Sequence, residues 1–278
     1  KRTRPMAVYG LGGFTTLTVG LGARLESIPL FLHASDRVVG RAIRLLSRFA
    51  RCTYLPQGVR LWGIPQERQA TAGYPLRPEM KRIDRAEARR ALGFPETGRL
   101  LIILGGSQGA TSLSEWGATH FERLAALGYH LYVATGIQKN RGIESIECTG
   151  PDGQPRYARF VSFCDTMATL LSAADWAITR AGAGTLAELE AFSVPAVVIP
   201  YPFAKDDHQN ANADYFVKRG FGQKVDASCL GELMPLVAEL SAQEIPWTRW
   251  KQNMEQTSNE DPLDLMMHDL QQIQGACK

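Results

Sequence analysis

Three stretches of this 278-residue chain carry residue types and spacings suited to holding a nucleotide. The first is Leu104-Gly105-Gly106-Ser107-Gln108-Gly109-Ala110, which follows an apolar run and opens a helix. Glycines there let the backbone approach a ligand, and helix N-terminal N–H groups receive phosphate oxygens. Ser107 adds a hydroxyl donor. The same loop also reads as a tight strand-to-helix turn with no ligand. The second stretch is Arg180-Ala181-Gly182-Ala183-Gly184-Thr185-Leu186-Ala187-Glu188, again between a strand and a helix. Here Glu188 is placed to accept hydrogen bonds from a ribose hydroxyl pair. Thr185 and Glu188 read equally well as a capping box that starts the helix. The third, Pro200 to Asn210, is a proline-stiffened loop in which Asp207 is the expected N-cap. His208, Gln209 and Asn210 supply polar groups that could read sugar hydroxyls. Asp206, Asp207 and His208 are adjacent, and three adjacent residues rarely converge on one ion. No metal site and no cofactor are predicted.

Nearer the start, Tyr9 to Thr15 (YGLGGFT) looks like a dinucleotide fingerprint with Thr15 in the place of its third glycine. Asp36, after the next strand, would then hold a ribose, as in a nicotinamide-dependent dehydrogenase. Arg37, Arg41, Arg44, Arg48 and Arg51 recur at spacings of 4, 3, 4 and 3. On a helix predicted over 37–50 they share one face, a solvated surface or one made for an anionic membrane. The charge distribution favours an anionic partner. Residues 1–90 hold 17 Lys and Arg against 6 Asp and Glu, although the whole chain carries only +3.

The positioning elements follow from the apolar pattern. Leu100–Leu104 is a continuous apolar run, as expected of a strand buried on both faces. Further strands are expected near 6–9, 29–33, 130–135, 157–163, 176–179 and 195–199, with helices between most of them. That alternation predicts parallel sheets covered by helices. Asp84 and Glu87 read as a capping box. A Gly- and Pro-marked break near 73–82 divides the chain. The expected parts are residues 1–77, residues 78–259, and a C-terminal helix over 260–278 that returns to the first part. The first part supplies only two or three predicted strands, so further strands are expected upstream or from another chain. Five scattered cysteines without a C-x-x-C pair predict neither a zinc ribbon nor a disulfide framework. The uncharged run 6–23 holds five glycines and is not expected to span a membrane.

GGSQGA at 105–110, RAGAGTLAE at 180–188 and YPFAKDDHQNANA at 201–213, in that order, resemble the MurG family. Its members are bacterial glycosyltransferases of the lipid-linked stage of peptidoglycan synthesis. The resemblance runs over residues 5–225. It implies an α/β GT-B fold: two Rossmann-like domains with parallel sheets, the N-terminal one incomplete here. It implies an inverting transfer of N-acetylglucosamine from UDP-N-acetylglucosamine to undecaprenyl-diphosphate-linked N-acetylmuramyl pentapeptide. The setting would be the cytoplasmic face of the plasma membrane, with the chain bound peripherally to an anionic surface and no nucleic acid involved.

By position, the resemblance puts Phe163 and Cys164 beside the uracil, and Ser107 and Arg77 on the diphosphate side. Ala183, Gly184, Thr185, Leu186, Ala187 and Glu188 would wrap the phosphate and ribose, with Gln209 and His208 at the sugar. Asp36 stands where the family carries a sugar-contacting Asn. Gly12 and Gly13 fall in the acceptor-side loop. The family's proposed general-base His would lie upstream of Lys1, so no catalytic residue is assigned in this chain, and the chain by itself is expected to bind donor without transferring sugar. Two alternatives stand beside this one: a GT-B transferase with another lipid acceptor, and a non-catalytic UDP-sugar-binding half needing a partner chain.

Overall fold

The computed structural model describes residues 4–106, 110–136, 145–257 and 261–276. The chain divides into two compact units, Lys1–Pro75 with Ser258–Lys278, and Leu76–Thr257.

In the first unit β1 (Val8–Gly10) leads into α1 (Gly13–Leu25), followed by β2 (Leu30–His33), α2 (Arg41–Leu46), β3 (Cys52–Leu55) and β4 (Gln69–Thr71). The four strands lie in chain order and all pair in parallel. β3 and β4 lie outside the elements expected from the sequence. The helix expected over 37–50 is only six residues long. It starts after Gly40 and ends where the Ser47 hydroxyl donates to the Arg44 carbonyl. Arg37 and Arg51 therefore sit off the helix, and Arg37 donates to the Gln57 carbonyl at 3.0 Å. The five arginines do not form one helical stripe. Arg41, Arg44 and Arg48 are exposed together.

The second unit runs α3 (Arg85–Ala91), β5 (Arg99–Leu104), α4 (Thr111–Ala126), β6 (Tyr129–Ala134), β7 (Ser145–Thr149), β8 (Pro155–Val161), α5 (Met167–Ala173), β9 (Trp176–Thr179), α6 (Ala183–Ala191), β10 (Ala196–Val198), α7 (His208–Lys218), β11 (Gly222–Lys224), α8 (Leu233–Ala242) and α9 (Glu244–Glu255). Its seven strands are ordered β11-β10-β9-β5-β6-β8-β7. All pairs are parallel, as expected, except β7 with β8, an antiparallel hairpin at the sheet edge. β5 shows why its sequence is uninterruptedly apolar. Leu101 and Ile103 enter the core under α4 and α8, while Leu100, Ile102 and Leu104 enter the opposite core under α3, α5 and α6.

The last element, α10 (Pro262–Ala276), belongs to the first unit. It covers the sheet face opposite α1 and α2. Leu30 and Leu32 face one core, and Phe31 faces the other with Met266 and Ile273. On that second face the Tyr9 and Phe31 rings stack at 4.9 Å, and buried Tyr54 donates its hydroxyl to Asp269 Oδ2 at 2.6 Å. Burial and this bond push the Tyr54 phenol well above its ordinary range. Among the described residues no helix is long and apolar enough to cross a membrane.

Candidate functional site

Strand order marks a candidate site in the second unit. From β5 the chain proceeds outward through β6 to β8, then returns to the other side of β5 with β9 and proceeds outward through β10 to β11. Ligands of open α/β sheets bind outside the carboxyl ends of the strands at such a reversal. The loops leaving β5 and β9 are 105–110 and 180–182, the two glycine-rich turns.

Each turn is shaped to leave its helix N-terminus open. Gly106 has φ +76° with no atom within 4 Å of an added Cβ, so it is conformation rather than space that calls for glycine. Ser107 lies outside the described residues. α4 begins after Ala110 with no capping side chain among the described residues and no acidic residue in its first turn. α6 begins at Ala183 behind Gly182, also without a side-chain cap or a first-turn acid. This overturns the capping box at Thr185: that residue lies inside the helix, two positions after Ala183, and cannot cap it. The first intrahelical bond is Leu186 N–H to the Gly182 carbonyl, which leaves the N–H groups of Ala183, Gly184 and Thr185 pointing out of the helix end. Together with the positive end of the helix dipole they attract an anion. α3 shows the alternative, since Asp84 accepts the Glu87 N–H at 3.0 Å and closes that terminus.

Glu188, one turn further along α6, is half-buried. Burial raises its pKa above the ordinary carboxylate value, and the Arg77 charge works against that rise. A desolvated carboxylate gains most from two hydroxyl donors arriving together, which is what a ribose offers. Phe163 and Cys164 lie in the loop from β8 to α5. Phe163 is 53 % exposed, so a planar base can lie on its ring. Cys164 packs against the core of the unit.

Gln209 is more constrained than the sequence suggests. Its side-chain oxygen accepts from the Ala181 N–H at 3.2 Å and the Tyr201 N–H at 2.9 Å. That tie joins the loops after β9 and β10 and leaves the amide nitrogen as the group able to meet a sugar. Asn212, one helical turn on, donates to the Ala181 carbonyl at 3.0 Å. His208 holds the Lys205 carbonyl through Nδ1 at 2.7 Å, so that nitrogen carries the proton and Nε2 presents a lone pair. Asp207 is the residue before α7, as expected, but it caps nothing with its side chain and instead accepts from Asn210 Nδ2 at 2.7 Å. Asp206 and Asp207 both adopt left-handed conformations, φ 53° and 55°. Two such residues in succession are strained, as loops at ligand sites often are.

Arg180 was visible in the motif, but its part was not. Its guanidinium donates to the Ile199 carbonyl at 3.1 Å, the Pro200 carbonyl at 3.2 Å and the Ser112 hydroxyl at 3.2 Å. It also lies 5.8 Å from the centre of the Tyr201 ring. Burial lowers its pKa below that of a free guanidinium. No sequence signal marks it, because its partners lie 19, 20 and 68 residues away.

Gly12, Gly13 and Asp36 belong to the first unit. Gly12 and Gly13 have φ +94° and +80° in the turn from β1 to α1, and Asp36 is half-buried in the bend after β2. Between them in sequence, buried His33 donates from Nε2 to the Gly73 carbonyl at 2.9 Å, and burial lowers its pKa. Among the described residues no group of three or more His, Cys, Asp or Glu side chains converges to hold an ion.

Comparison with known proteins gives a consistent picture. Residues 100–263 match the family model of the glycosyltransferase family 28 C-terminal domain. A curated relative from Opitutus terrae, named UDP-N-acetylglucosamine–N-acetylmuramyl-(pentapeptide) pyrophosphoryl-undecaprenol N-acetylglucosamine transferase, is 40% identical over 90% of this chain and 66% of its own length. A relative of the same name from Synechococcus elongatus is 35% identical over 79% of this chain and 58% of its own. The chain thus spans less than two thirds of the length of these relatives. The crystal structure of Acinetobacter baumannii MurG superposes with a TM-score of 0.66 at 24% identity, covering 97% of this chain and 73% of that one. The likeness is one of fold: Rossmann-like α/β units of the GT-B class, the first with a four-stranded sheet. With the family model lying on the unit that carries both glycine turns and Glu188, the chain belongs to glycosyltransferase family 28.

Proposed function

We propose that the second unit binds UDP-N-acetylglucosamine and that the chain serves transfer of its N-acetylglucosamine to undecaprenyl-diphosphate-linked N-acetylmuramyl pentapeptide, the reaction named for its relatives. The observation that carries this is the pair of uncapped helix N-termini, α4 and α6, at the strand-order reversal, with Glu188 one turn along α6. The diphosphate lies across the two turns, the ribose hydroxyls donate to Glu188, and the uracil rests beside Phe163 and Cys164. As the bond to the anomeric carbon breaks, negative charge grows on the departing UDP. Fixed N–H dipoles and the Arg77 cation stabilise that charge without having to reorganise. Gln209 and His208 border the sugar from the first turn of α7.

The first unit is proposed to meet an anionic membrane. Phe14 and Leu25 of α1 are 87% and 85% exposed, and α2, packed against α1, presents Arg41 and Arg44 with Arg48 beyond its end. Exposed apolar side chains beside cations suit an interfacial surface. Arg41→Glu with Arg48→Glu is expected to abolish sedimentation with anionic liposomes and leave UDP binding intact. Equal binding of the parent chain to neutral and anionic liposomes would refute it.

Calorimetry with UDP and UDP-N-acetylglucosamine tests the donor site. Binding is expected with EDTA present, and Glu188→Ala should weaken it by about 1–3 kcal/mol through lost charge-assisted hydrogen bonds. Binding of NADH but not UDP would overturn the proposal.

A further inference from the structure

We infer that Arg180 is a positioning residue of the donor site whose unneutralised charge makes that site prefer a nucleoside diphosphate to the bare nucleoside. This rests on the donor reading above and deepens it. Two observations carry it, one of geometry and one of charge.

The guanidinium is the meeting point of three loops. Ser112 lies in the first turn of α4, just past the first glycine turn. Ile199 and Pro200 follow β10, and Arg180 itself begins the second glycine turn after β9. Bonds to all three fix how far apart the two open helix ends stand. Gln209 ties two of the same segments through the Ala181 and Tyr201 N–H groups, so the loops are held from both sides. A planar fork with five donors can hold three acceptors in one arrangement, which an ammonium on a flexible stem cannot do as well.

Charge is the second observation. Three guanidinium groups of this unit face a carboxylate: Arg89 faces Asp175 at 2.7 Å, Arg156 faces Asp152 at 2.9 Å and Arg219 faces Glu190 at 2.7 Å. Half-buried Arg159 instead donates to the Gly93 carbonyl, away from the two glycine turns. The donors of Arg180 reach only neutral oxygens among the described residues. A half-buried cation without a counter-charge lacks part of the stabilisation that water would give it. An anion arriving over the adjacent turns supplies it, and at reduced dielectric the attraction acts over several ångströms without direct contact. Base and ribose gain little from this attraction, because neither carries a charge.

The test compares UDP with uridine by calorimetry on the parent chain, Arg180→Gln and Arg180→Lys. In Arg180→Gln the affinity for UDP is expected to fall about tenfold or more, and that for uridine less than threefold. Arg180→Lys should recover most of the preference for UDP while melting lower than the parent, because the charge survives and the fork does not. Raising the salt concentration should erode the preference more steeply in the parent and in Arg180→Lys than in Arg180→Gln, where Arg77 and the helix ends remain. Equal losses for UDP and uridine in Arg180→Gln would reduce Arg180 to a structural tie, and unchanged UDP affinity would remove it from the site. A parent chain that binds no UDP would overturn the donor site itself, and this inference with it. Uridine binding doubles as the control that each variant is folded.

Discussion

The two ends of the seven-stranded sheet are built on opposite principles. At the amino ends of the strands the charged groups are spent on one another and on backbone carbonyls, although the buried Trp176 indole N–H meets no partner among the described residues. Arg89, 1% exposed, donates to the carbonyls of Ala173, Pro95, Glu96, Thr97 and Gly98 and pairs with Asp175. Asp175 also takes Arg85 and the Leu100 N–H. Arg82 closes the C-terminus of α6 through the Ala191 carbonyl and the Ser193 hydroxyl. A cavity of about 420 Å³ opens at this end among Arg82, Arg85, Trp176 and Trp247. Volume alone does not make it a site, because Arg82 and Arg85 are already committed to a helix end and a carboxylate. Among the described residues the reverse holds at the carboxyl ends: helix termini lack side-chain caps, Glu188 is desolvated, Arg180 meets no carboxylate and two aspartates sit in left-handed strain. One end secures the fold, and the other holds unmet interactions that a ligand can complete.

The largest expected effect lies at the amino end. Arg89→Met removes one of the partners of half-buried Asp175 and the donor to five carbonyls, and should destabilise the chain by about 3–5 kcal/mol in urea titration. A loss no greater than that of Arg180→Gln would erase the contrast between the ends. His130 belongs to the same end, fully buried between Phe94 and Tyr157, with Nε2 donating to the Thr97 carbonyl and Nδ1 accepting the Tyr157 N–H. Burial depresses its pKa from 6.5 to about 4. Between those values the unfolded chain binds the extra proton, so stability is held above pH 6.5 and falls as the pH drops toward 4. The total loss is about 3 kcal/mol, and replacement by Gln should flatten that part of the stability–pH curve.

At the carboxyl end the expected changes are smaller and of opposite sign for folding and binding. Glu188→Gln removes a desolvated charge. It should leave the unliganded chain as stable at pH 7 or up to about 1 kcal/mol more so, while weakening uridine. In the parent, uridine affinity should rise with pH as Glu188 ionises above the ordinary carboxylate range, and the variant should lose that dependence. Smallest is Asp206→Gly, which relieves a left-handed aspartate and should stabilise by a few tenths to about 1 kcal/mol. A clear loss of stability in either variant would show that this end is as fully satisfied as the other.

The sequence made legible whatever is written in runs or in fixed local order. β5 declares itself because both its faces are buried, and the glycine turns because strand, small residues and helix follow one another directly. β3 and β4 were missed, being four and three residues long, with β3 hidden behind an arginine run whose spacing suggested a longer helix than Ser47 allows. The alternating, half-exposed β7 showed little of the apolar signal that marks a buried strand. Thr185 and Glu188 matched a capping pattern that only the true start of α6 could refute. Arg180 stayed hidden for a physical reason: its worth lies in what it lacks, and an absent carboxylate has no signature in sequence.

The bond between Tyr54 and Asp269 joins residues 215 positions apart. The chain enters the first unit, leaves it to build the whole of the second, and returns to cover the remaining face of the first sheet. On a ribosome adding about 5–20 residues per second, the Tyr54 side of that sheet waits on the order of tens of seconds for its cover. The stacked face of Tyr9, Phe31 and Tyr54 is open to other partners for that interval. Synthesis therefore finishes the second unit before the first. A nascent chain halted between residues 257 and 262 would carry a completed second unit and a half-covered first sheet, and that exposed face is where chaperone binding during translation should concentrate.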